Sequence, residues 1–172
     1  MSRTSGQDGF DEFATAAWPR LLRSAYLLTG DHHLAEDLAQ TALVRTYAHW
    51  RRVRSADALA YARRVLVNLN IDRFRRRHGT IDVGDQLLET VPSRPDTRVD
   101  ERDEAVRLLR TLTGRERQVV VLRHYFDLSE AEVAHELGIA KGTVKSTLSR
   151  ALGKLRVASD DGAPDYEEAV GQ

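Results

Sequence analysis

A segment near the carboxyl end of the chain carries side chains whose types and spacing suit contact with a nucleic acid. They lie on one predicted helix and are small hydroxyl donors or cations: Lys141, Thr143, Lys145, Ser146, Ser149 and Arg150. Lys141 and Thr143 stand near the amino end of that helix. Such donors can contact phosphates at a helix N-terminus and base edges in the major groove of DNA. The opposite face is apolar, because Val144, Leu148, Ala151 and Leu155 follow the spacing i, i+4, i+7 and i+11.

The residues before this helix complete a helix-turn-helix motif over 128–156. Ser129 and Glu132 have the spacing of a capping box, which predicts the start of a short helix, and Thr113 and Glu116 have the same spacing earlier in the chain. Gly138 stands where that helix needs a left-handed stop, and Ile139 is expected to fill the space between the two helices. A plain solvated helical hairpin is the alternative interpretation. Capping, turn glycine, apolar spacing and polar face all favour a DNA-binding motif instead.

A second candidate surface lies in the stretch ARRVLVNLNIDRFRRRHG, residues 62–79. At about 100° per residue, two apolar stripes flank a narrow polar seam of Tyr61, Arg64, Asn68, Asp72 and Arg75. Two apolar stripes predict a helix held between neighbours with one seam left open. Aromatic, guanidinium and amide groups suit unpaired bases, which they can stack on or hydrogen-bond. Asp72 does not suit a polyanion and is expected to orient Arg75 or Arg76, or to pair inside the domain.

A third surface is predicted on the helix from about His32 to Trp50. Glu36, Gln40, Leu43 and Tyr47 follow helical spacing and form a face that changes from acidic to apolar. A face of this kind suits docking onto a basic helical protein. A solvated face with a stray leucine remains the alternative.

The sequence shows no arrangement typical of an enzyme or a metal centre. His32, His33 and Glu36 could suggest a metal site, but only His32 and Glu36 lie one helical turn apart. No third or fourth ligand is evident near that pair, and zinc needs three or four. There is no serine–histidine–acid arrangement and no phosphate-cradling glycine loop. We therefore predict no catalytic residues, no metal and no cofactor.

Composition adds a charge pattern along the chain. The net charge is zero, but residues 1–80 and 107–157 each carry net +5, whereas 81–106 and 158–172 each carry net −5. Two basic blocks separated by an acidic connector suggest two modules that meet a polyanion, although charge alone does not exclude chance clustering. The chain contains no cysteine, and no signal peptide or membrane span is evident in the sequence, which leads us to expect a cytoplasmic location.

These surfaces require an all-α fold of two small helical domains joined by a flexible acidic linker. Periodicity predicts a first domain over 10–78, a linker over 79–100, a second domain over 101–157 and an acidic tail over 158–172. Pro19 is expected to kink or restart the first helix. Helices are predicted over about 57–77, 101–112 and 141–157, and Arg51 to Ser55 is expected to be a short basic connection.

Three stretches carry a family resemblance. GDHHLAEDLAQTALVRTYAHW (30–50) and LAYARRVLVNLNIDRFRRR (59–77) resemble the second domain of bacterial extracytoplasmic-function (ECF) sigma factors. LTGRERQVVVLRHYFDLSEAEVAHELGIAKGTVKSTLSRALGKLR (112–156) resembles their fourth domain. AEDLAQ, NxxxDRxRRR and the terminal helix-turn-helix form a specific combination. The details are most similar to an actinobacterial subgroup, the SigE family.

The resemblance implies a factor that binds core RNA polymerase and directs it to promoters. Domain two would dock on the clamp helices of the largest subunit through Glu36, Asp37, Gln40 and Leu43. The seam and the connection before it would hold the melted non-template strand of the minus-ten element, with the arginines at 73 and 75–77 tracking the phosphate backbone. The last helix would read the minus-thirty-five element. The resemblance also makes an anti-sigma factor a possible partner.

Two other functions remain open from the sequence. A conventional transcriptional regulator would use the helix-turn-helix on an operator and the first block to sense or dimerise. An enzyme built on the first block is disfavoured because no catalytic arrangement is found. Run-off transcription with purified core polymerase discriminates the sigma factor from the regulator.

Overall fold

The computed structural model describes residues 9–54, 56–77 and 103–160, and every regular element within those ranges is helical. A first group of helices lies before residue 78: α1 (Phe10–Thr29), α2 (His32–Ala48), α3 (Trp50–Val53) and α4 (Ala58–Arg77). A second group follows residue 102: α5 (Glu104–Leu109), α6 (Gly114–Val120) with a π-helical turn (Val121–Tyr125), α7 (Glu130–Leu137) and α8 (Lys141–Asp160). The all-α prediction of two helical groups is confirmed.

The first group is built by α1 and α4 packing with α2. Gly30, at φ 69°, ends α1 in the left-handed conformation, and the Asp31 side chain then accepts the Leu34 backbone N–H at 2.9 Å to begin α2. The core between the three helices contains Leu21, Leu38 and Leu66, which are buried. This packing presents the outer faces of α2 and α4 to solvent.

The structure differs from two expectations about this group. α1 is continuous from Phe10 to Thr29, so Pro19 lies inside it and does not restart it. Pro19 and Thr15 are both exposed, so the Thr15 carbonyl that loses its backbone donor can be hydrated. The basic connection predicted after Trp50 contains a helical turn, α3, because Trp50 and Val53 are buried in a small cluster with Ala58 and draw the chain inward.

The second group follows its local signals closely. Thr113 with Glu116 and Ser129 with Glu132 each form the predicted capping box, and Gly138 ends α7 at φ 65°. The helix predicted over 101–112 is shorter, since Asp103 caps α5 and the helix ends at Leu109. The last helix is longer than predicted and reaches Asp160. The rest of the predicted tail and the predicted linker lie outside the described residues.

The two groups pack against each other and share one hydrophobic core. α1 contacts α5, α6 and the π-helical turn, and Gly30 lies so near α5 that an added Cβ would stand 3.5 Å from the Arg110 side chain. Arg117 is buried and donates hydrogen bonds to the carbonyls of Leu109, Leu112 and, across the interface, Leu28 at 3.0 Å. Burial lowers the pKa of Arg117 to about 10.

Charged contacts surround this shared core. Arg23 of α1 forms an ion pair with Asp103, and this hydrogen bond lowers the pKa of the Asp103 carboxyl below its ordinary value. Arg63 of α4 donates to Glu136 of α7 at 2.8 Å, and the Arg20 and Arg63 guanidinium groups lie 5.3 and 5.4 Å from the centroid of the Phe126 ring. The association of the two groups is therefore polar at its rim and apolar at its centre.

Candidate DNA and polymerase interfaces

The outer side of α8 carries the first candidate interface, which we call the α8 polar face. It consists of six residues: Lys141, Thr143, Lys145, Ser146, Ser149 and Arg150. Thr143 is half-buried, and the other five are exposed. On the inner side of the helix Val144 and Ala151 are fully buried, and Leu148 and Leu155 pack against the core. Burial of one side fixes the rotation of α8, so the donors face solvent as a set.

The position of α8 is set by the turn that precedes it. Ile139 packs against the core, and its backbone N–H donates to the Ala134 carbonyl at 3.0 Å, which holds the turn against α7. Lys154, farther along α8, donates to both Glu116 oxygens at 2.8 and 2.9 Å. These contacts fix both halves of the helix on the domain.

Glu116, which accepts the hydrogen bonds from Lys154, also belongs to the capping box of α6. Its carboxylate also accepts the Thr113 backbone N–H at 3.0 Å as part of the capping box. Burial raises the pKa of Glu116, but the Lys154 ammonium and the hydrogen bonds from Thr113 outweigh it, so the pKa lies below the ordinary value. The carboxylate therefore stabilises the fold in its charged form.

The second candidate interface is the α4 seam, the line of Tyr61, Arg64, Asn68, Asp72 and Arg75. Arg64, Asn68, Asp72 and Arg75 are exposed, whereas Ala62, Leu66, Val67 and Leu69 on the flanking stripes are buried. The predicted open seam between two packed stripes is thus the observed geometry. Its contact with DNA remains a prediction.

Tyr61 differs from the rest of the seam. Its side chain is half-buried and packs against the cluster of Trp50, Val53 and Ala58, with its ring 5.8 Å from the ring of His49. Only part of the ring is open to a stacked base. The sequence did not reveal this because the cluster is formed by α3, which was predicted to be a connection.

The arginines at the end of α4 divide into two kinds. Arg75 and Arg76 are exposed, whereas Arg73 is half-buried. Arg76 donates to the Asp72 backbone carbonyl at 3.3 Å, so α4 orients it through the main chain instead of through the expected Asp72 carboxylate. Arg75 and Arg76 are therefore better placed for phosphate contact than Arg73.

The third candidate interface is the outer side of α2. Glu36, Asp37 and Gln40 are exposed as a continuous polar patch, and Val44 continues it with a 67% exposed side chain. Leu43, predicted to complete the patch, is instead half-buried against the core. Val44, one residue further along the helix, supplies the exposed apolar side chain of the patch, and contact of Leu43 with polymerase remains a prediction. We call Glu36, Asp37, Gln40 and Val44 the α2 face.

The histidines at the start of α2 do not assemble a metal site. His32 stacks on Tyr26, with ring centroids 3.9 Å apart and an interplanar angle of 16°. Within the described ranges, no group of three or more histidine, cysteine or acidic side chains is placed to hold a metal ion. None of the helices described there is both long and apolar enough to cross a membrane.

Two family models match the two helical groups. Residues 14–80 match the model of sigma-70 region 2, and residues 102–155 match that of sigma-70 region 4. The first match spans the α2 face and the α4 seam, and the second spans most of α5 to α8. Each candidate interface thus lies within a recognised module.

Similar whole proteins are sigma factors. The chain is 42% identical to the RNA polymerase sigma-E factor of Streptomyces avermitilis, over 86% of this chain and 83% of that protein. It is 34% identical to the ECF RNA polymerase sigma factor SigL of Mycobacterium tuberculosis, over 86% of this chain and 85% of that protein. The fold is similar to the sigma factor RpoE in a co-crystal structure with the anti-sigma factor NepR from Bartonella quintana. That likeness has a TM-score of 0.68 and 26% identity, over 90% of this chain and 98% of that one. The chain therefore belongs to the sigma-70 family of RNA polymerase sigma factors, within its extracytoplasmic-function class.

Proposed function

We propose that this sigma factor divides promoter-directed initiation among three separate faces. The α8 polar face contacts the minus-thirty-five element, the α4 seam contacts the opened minus-ten strand, and the α2 face docks on the clamp helices of core RNA polymerase. The observation that carries the proposal is that most side chains of all three faces are exposed, while the opposite sides of their helices are packed in the core.

The α8 polar face has the chemistry of major-groove recognition. Lys145 and Arg150 supply cations for phosphates or guanine edges, and Ser146 and Ser149 supply short hydroxyl donors. Glycine at position 142 and the half-buried Thr143 keep the amino end of the helix slim, which suits close approach to a phosphate. These features support a reading helix with several sequence-specific contacts.

The α4 seam has the chemistry of single-strand capture. Asn68 can hydrogen-bond a base edge, and Arg64 can stack on a base or pair with a phosphate. Arg75 and Arg76 add a path of positive charge along the exposed end of the helix. Opening a duplex costs a few kcal/mol per base, and contacts of this kind offset that cost.

The α2 face is proposed to contact protein instead of DNA. Its acidic charge would repel a phosphate backbone but suits a basic helical surface. Val44 gives one end of the face an exposed apolar side chain, and Glu36 and Asp37 make the other end acidic. An anti-sigma factor that covers this face would compete with polymerase. We place the protein in the cytoplasm, where polymerase acts, and assign it no catalytic activity of its own.

Run-off transcription with purified core polymerase tests the proposal. We expect core polymerase alone to yield no promoter-dependent transcript and the mixture with this protein to yield one. Because the promoter is not known, templates are first selected from fragmented genomic DNA by binding to the reconstituted holoenzyme. A protein that binds DNA but neither binds core polymerase nor supports a transcript would overturn the proposal and favour an operator-binding regulator.

A further inference from the structure

All lysines of the chain lie on α8. The 172 residues include 26 lysines and arginines, and lysine occurs only at positions 141, 145 and 154. The remaining cations are arginines, whose guanidinium stays protonated and is a poor nucleophile, whereas the lysine amine accepts acyl groups. A reagent that acylates side-chain amines therefore acts on this one helix.

The three lysines differ in their partners. Lys141 and Lys145 are exposed, and among the residues that the structure describes neither takes part in an ion pair. Lys154 instead donates to both Glu116 oxygens, at 2.8 and 2.9 Å. These bonds must break before its nitrogen can reach an acyl carbon. Lys141 and Lys145 are therefore the accessible nucleophiles of the helix.

The fold tolerates loss of charge at the first two lysines but not at the third. Lys141 is the first residue of α8, where the helix macrodipole disfavours a cation, and Lys145 is a like charge one turn away. Neutralising either one removes an unfavourable interaction. Neutralising Lys154 would instead leave the Glu116 carboxylate, whose side chain is only 6% exposed, without its cation.

We propose that Lys141 and Lys145 form a lysine-acylation site, at which an activated acyl donor removes two phosphate-binding charges from the α8 polar face while the fold stays intact. This inference rests on the proposed contact of that face with DNA. Arg150 keeps its charge because it is not acylated, and its Nη2 donates to the Thr147 hydroxyl at 3.4 Å. Acylation therefore weakens the backbone contacts and spares the base contact assigned to Arg150.

The reaction is an acyl transfer without any change of oxidation state. The ammonium of Lys141 or Lys145 first releases a proton to solvent, and the free Nζ then attacks the acyl carbon of an acyl phosphate. An N–C bond forms, the C–O bond to phosphate breaks, and phosphate leaves with the electron pair while the nitrogen releases a second proton. An acyl thioester of coenzyme A reacts in the same way, with a thiolate as the leaving group.

Peptide mass spectrometry of the full chain tests the site itself. Separate samples are treated with acetyl phosphate and with acetyl-coenzyme A, and the faster reaction identifies the donor. We expect Lys141 and Lys145 to be acetylated about fivefold faster than Lys154, because only Lys154 must first leave an ion pair. Equal rates at the three lysines, or reaction with neither donor, would overturn the proposal.

Salt dependence of promoter binding tests the consequence for DNA. The acetylated chain is freed of the donor, assembled with core polymerase and bound to a selected promoter fragment at several salt concentrations. We expect the slope of log K against log salt to fall in magnitude by about two, one for each lysine. The preference for promoter over unrelated DNA should persist because Arg150 is unmodified. An unchanged slope would overturn the proposal.

Charge-retaining variants provide the matched controls. The double variant Lys141→Arg with Lys145→Arg cannot be acetylated at these positions, so its slope should be the same before and after treatment. Lys154→Arg should respond to treatment as the wild type does. A slope that falls equally in the double arginine variant would show that acetylation acts elsewhere and would refute the site.

Glutamine variants separate the loss of charge from damage to the fold. Lys141→Gln with Lys145→Gln should unfold at the same urea concentration as the wild type, whereas Lys154→Gln should unfold at a lower one. A lower midpoint for the double variant would refute the claim that the fold stays intact. If the untreated chain fails to bind core polymerase, the proposed function fails, whereas faster acetylation of Lys141 and Lys145 would still support the site.

Discussion

Substitutions of Glu116 separate two interactions of its carboxylate, the ion pair with Lys154 of α8 and the hydrogen bond from the Thr113 N–H. Glu116→Gln keeps an oxygen that can accept the Thr113 N–H but removes the charge that pairs with Lys154. Because the Lys154 side chain is 47% exposed, we expect this change to lower the free energy of unfolding by only about 1 kcal/mol. Glu116→Ala also leaves the buried Thr113 N–H without its acceptor, which adds about 1–3 kcal/mol.

Urea unfolding followed by circular dichroism at several pH values measures these changes. The pKa of Glu116 is lowered in the folded state, so the unfolded chain binds its proton more readily and the charged carboxylate favours folding. The difference between wild type and Glu116→Gln should be complete above pH 4.5, the ordinary pKa, and should be lost as the pH falls through the lowered folded value.

Lys154→Met provides the matched partner for a double-mutant cycle. We expect a coupling energy of about 1 kcal/mol between Lys154→Met and Glu116→Gln. Equal destabilisation by Glu116→Gln and Glu116→Ala would show that the hydrogen bond to Thr113 contributes nothing. A coupling energy of zero would show that the ion pair between Glu116 and Lys154 contributes nothing. Either result would refute the reasoning about how Glu116 holds α8.

Four further substitutions test the other surfaces. Arg150→Ala should weaken sequence-specific promoter binding by about 1–3 kcal/mol in fluorescence anisotropy, with little change for unrelated DNA. Asn68→Ala should reduce permanganate reactivity of the minus-ten thymines while footprints at minus thirty-five persist; unchanged reactivity would mean that the α4 seam is misassigned. Val44→Asp should lower affinity for core polymerase about tenfold in a pull-down titration, whereas Thr15→Asp on exposed α1 should not. Gly138→Ala should destabilise the protein by about 1 kcal/mol in urea, because φ is 65° and no neighbour lies within 4 Å of an added Cβ to cause any other strain.

Local features of the fold were predictable from the sequence. The capping boxes at Thr113 and Ser129, and the stop at Gly138, depend on residues three or four apart, and each is present in the structure. The buried side of α8 and the open seam of α4 followed from helical periodicity, because α8 has one apolar stripe and α4 has two, with a polar seam between them.

Features that depend on distant residues were not predictable. Glu136 and Arg63 are 73 positions apart, and no pattern in either segment indicates that they meet. The helical turn α3 depends on burial of Trp50 against other parts of the first group, which outweighs the basic, loop-like composition around it. Leu43 was assigned to the outer side of α2 from its helical spacing to Glu36 and Gln40. Only the packing of the partner helices shows that Leu43 is half-buried whereas Val44 is exposed.

The π-helical turn at Val121–Tyr125 makes the chain sensitive to length at that point. The Phe126 N–H donates to the Val121 carbonyl, five residues back, at 3.2 Å, so the turn contains one residue more than an α-helical turn would. Deleting one residue there would restore α-helical winding and rotate Phe126 by about 100°, away from Arg20 and Arg63. A single-codon deletion could therefore uncouple the two helical groups while leaving each of them folded, and relatives that differ in length at this turn should differ in how tightly the two groups pack.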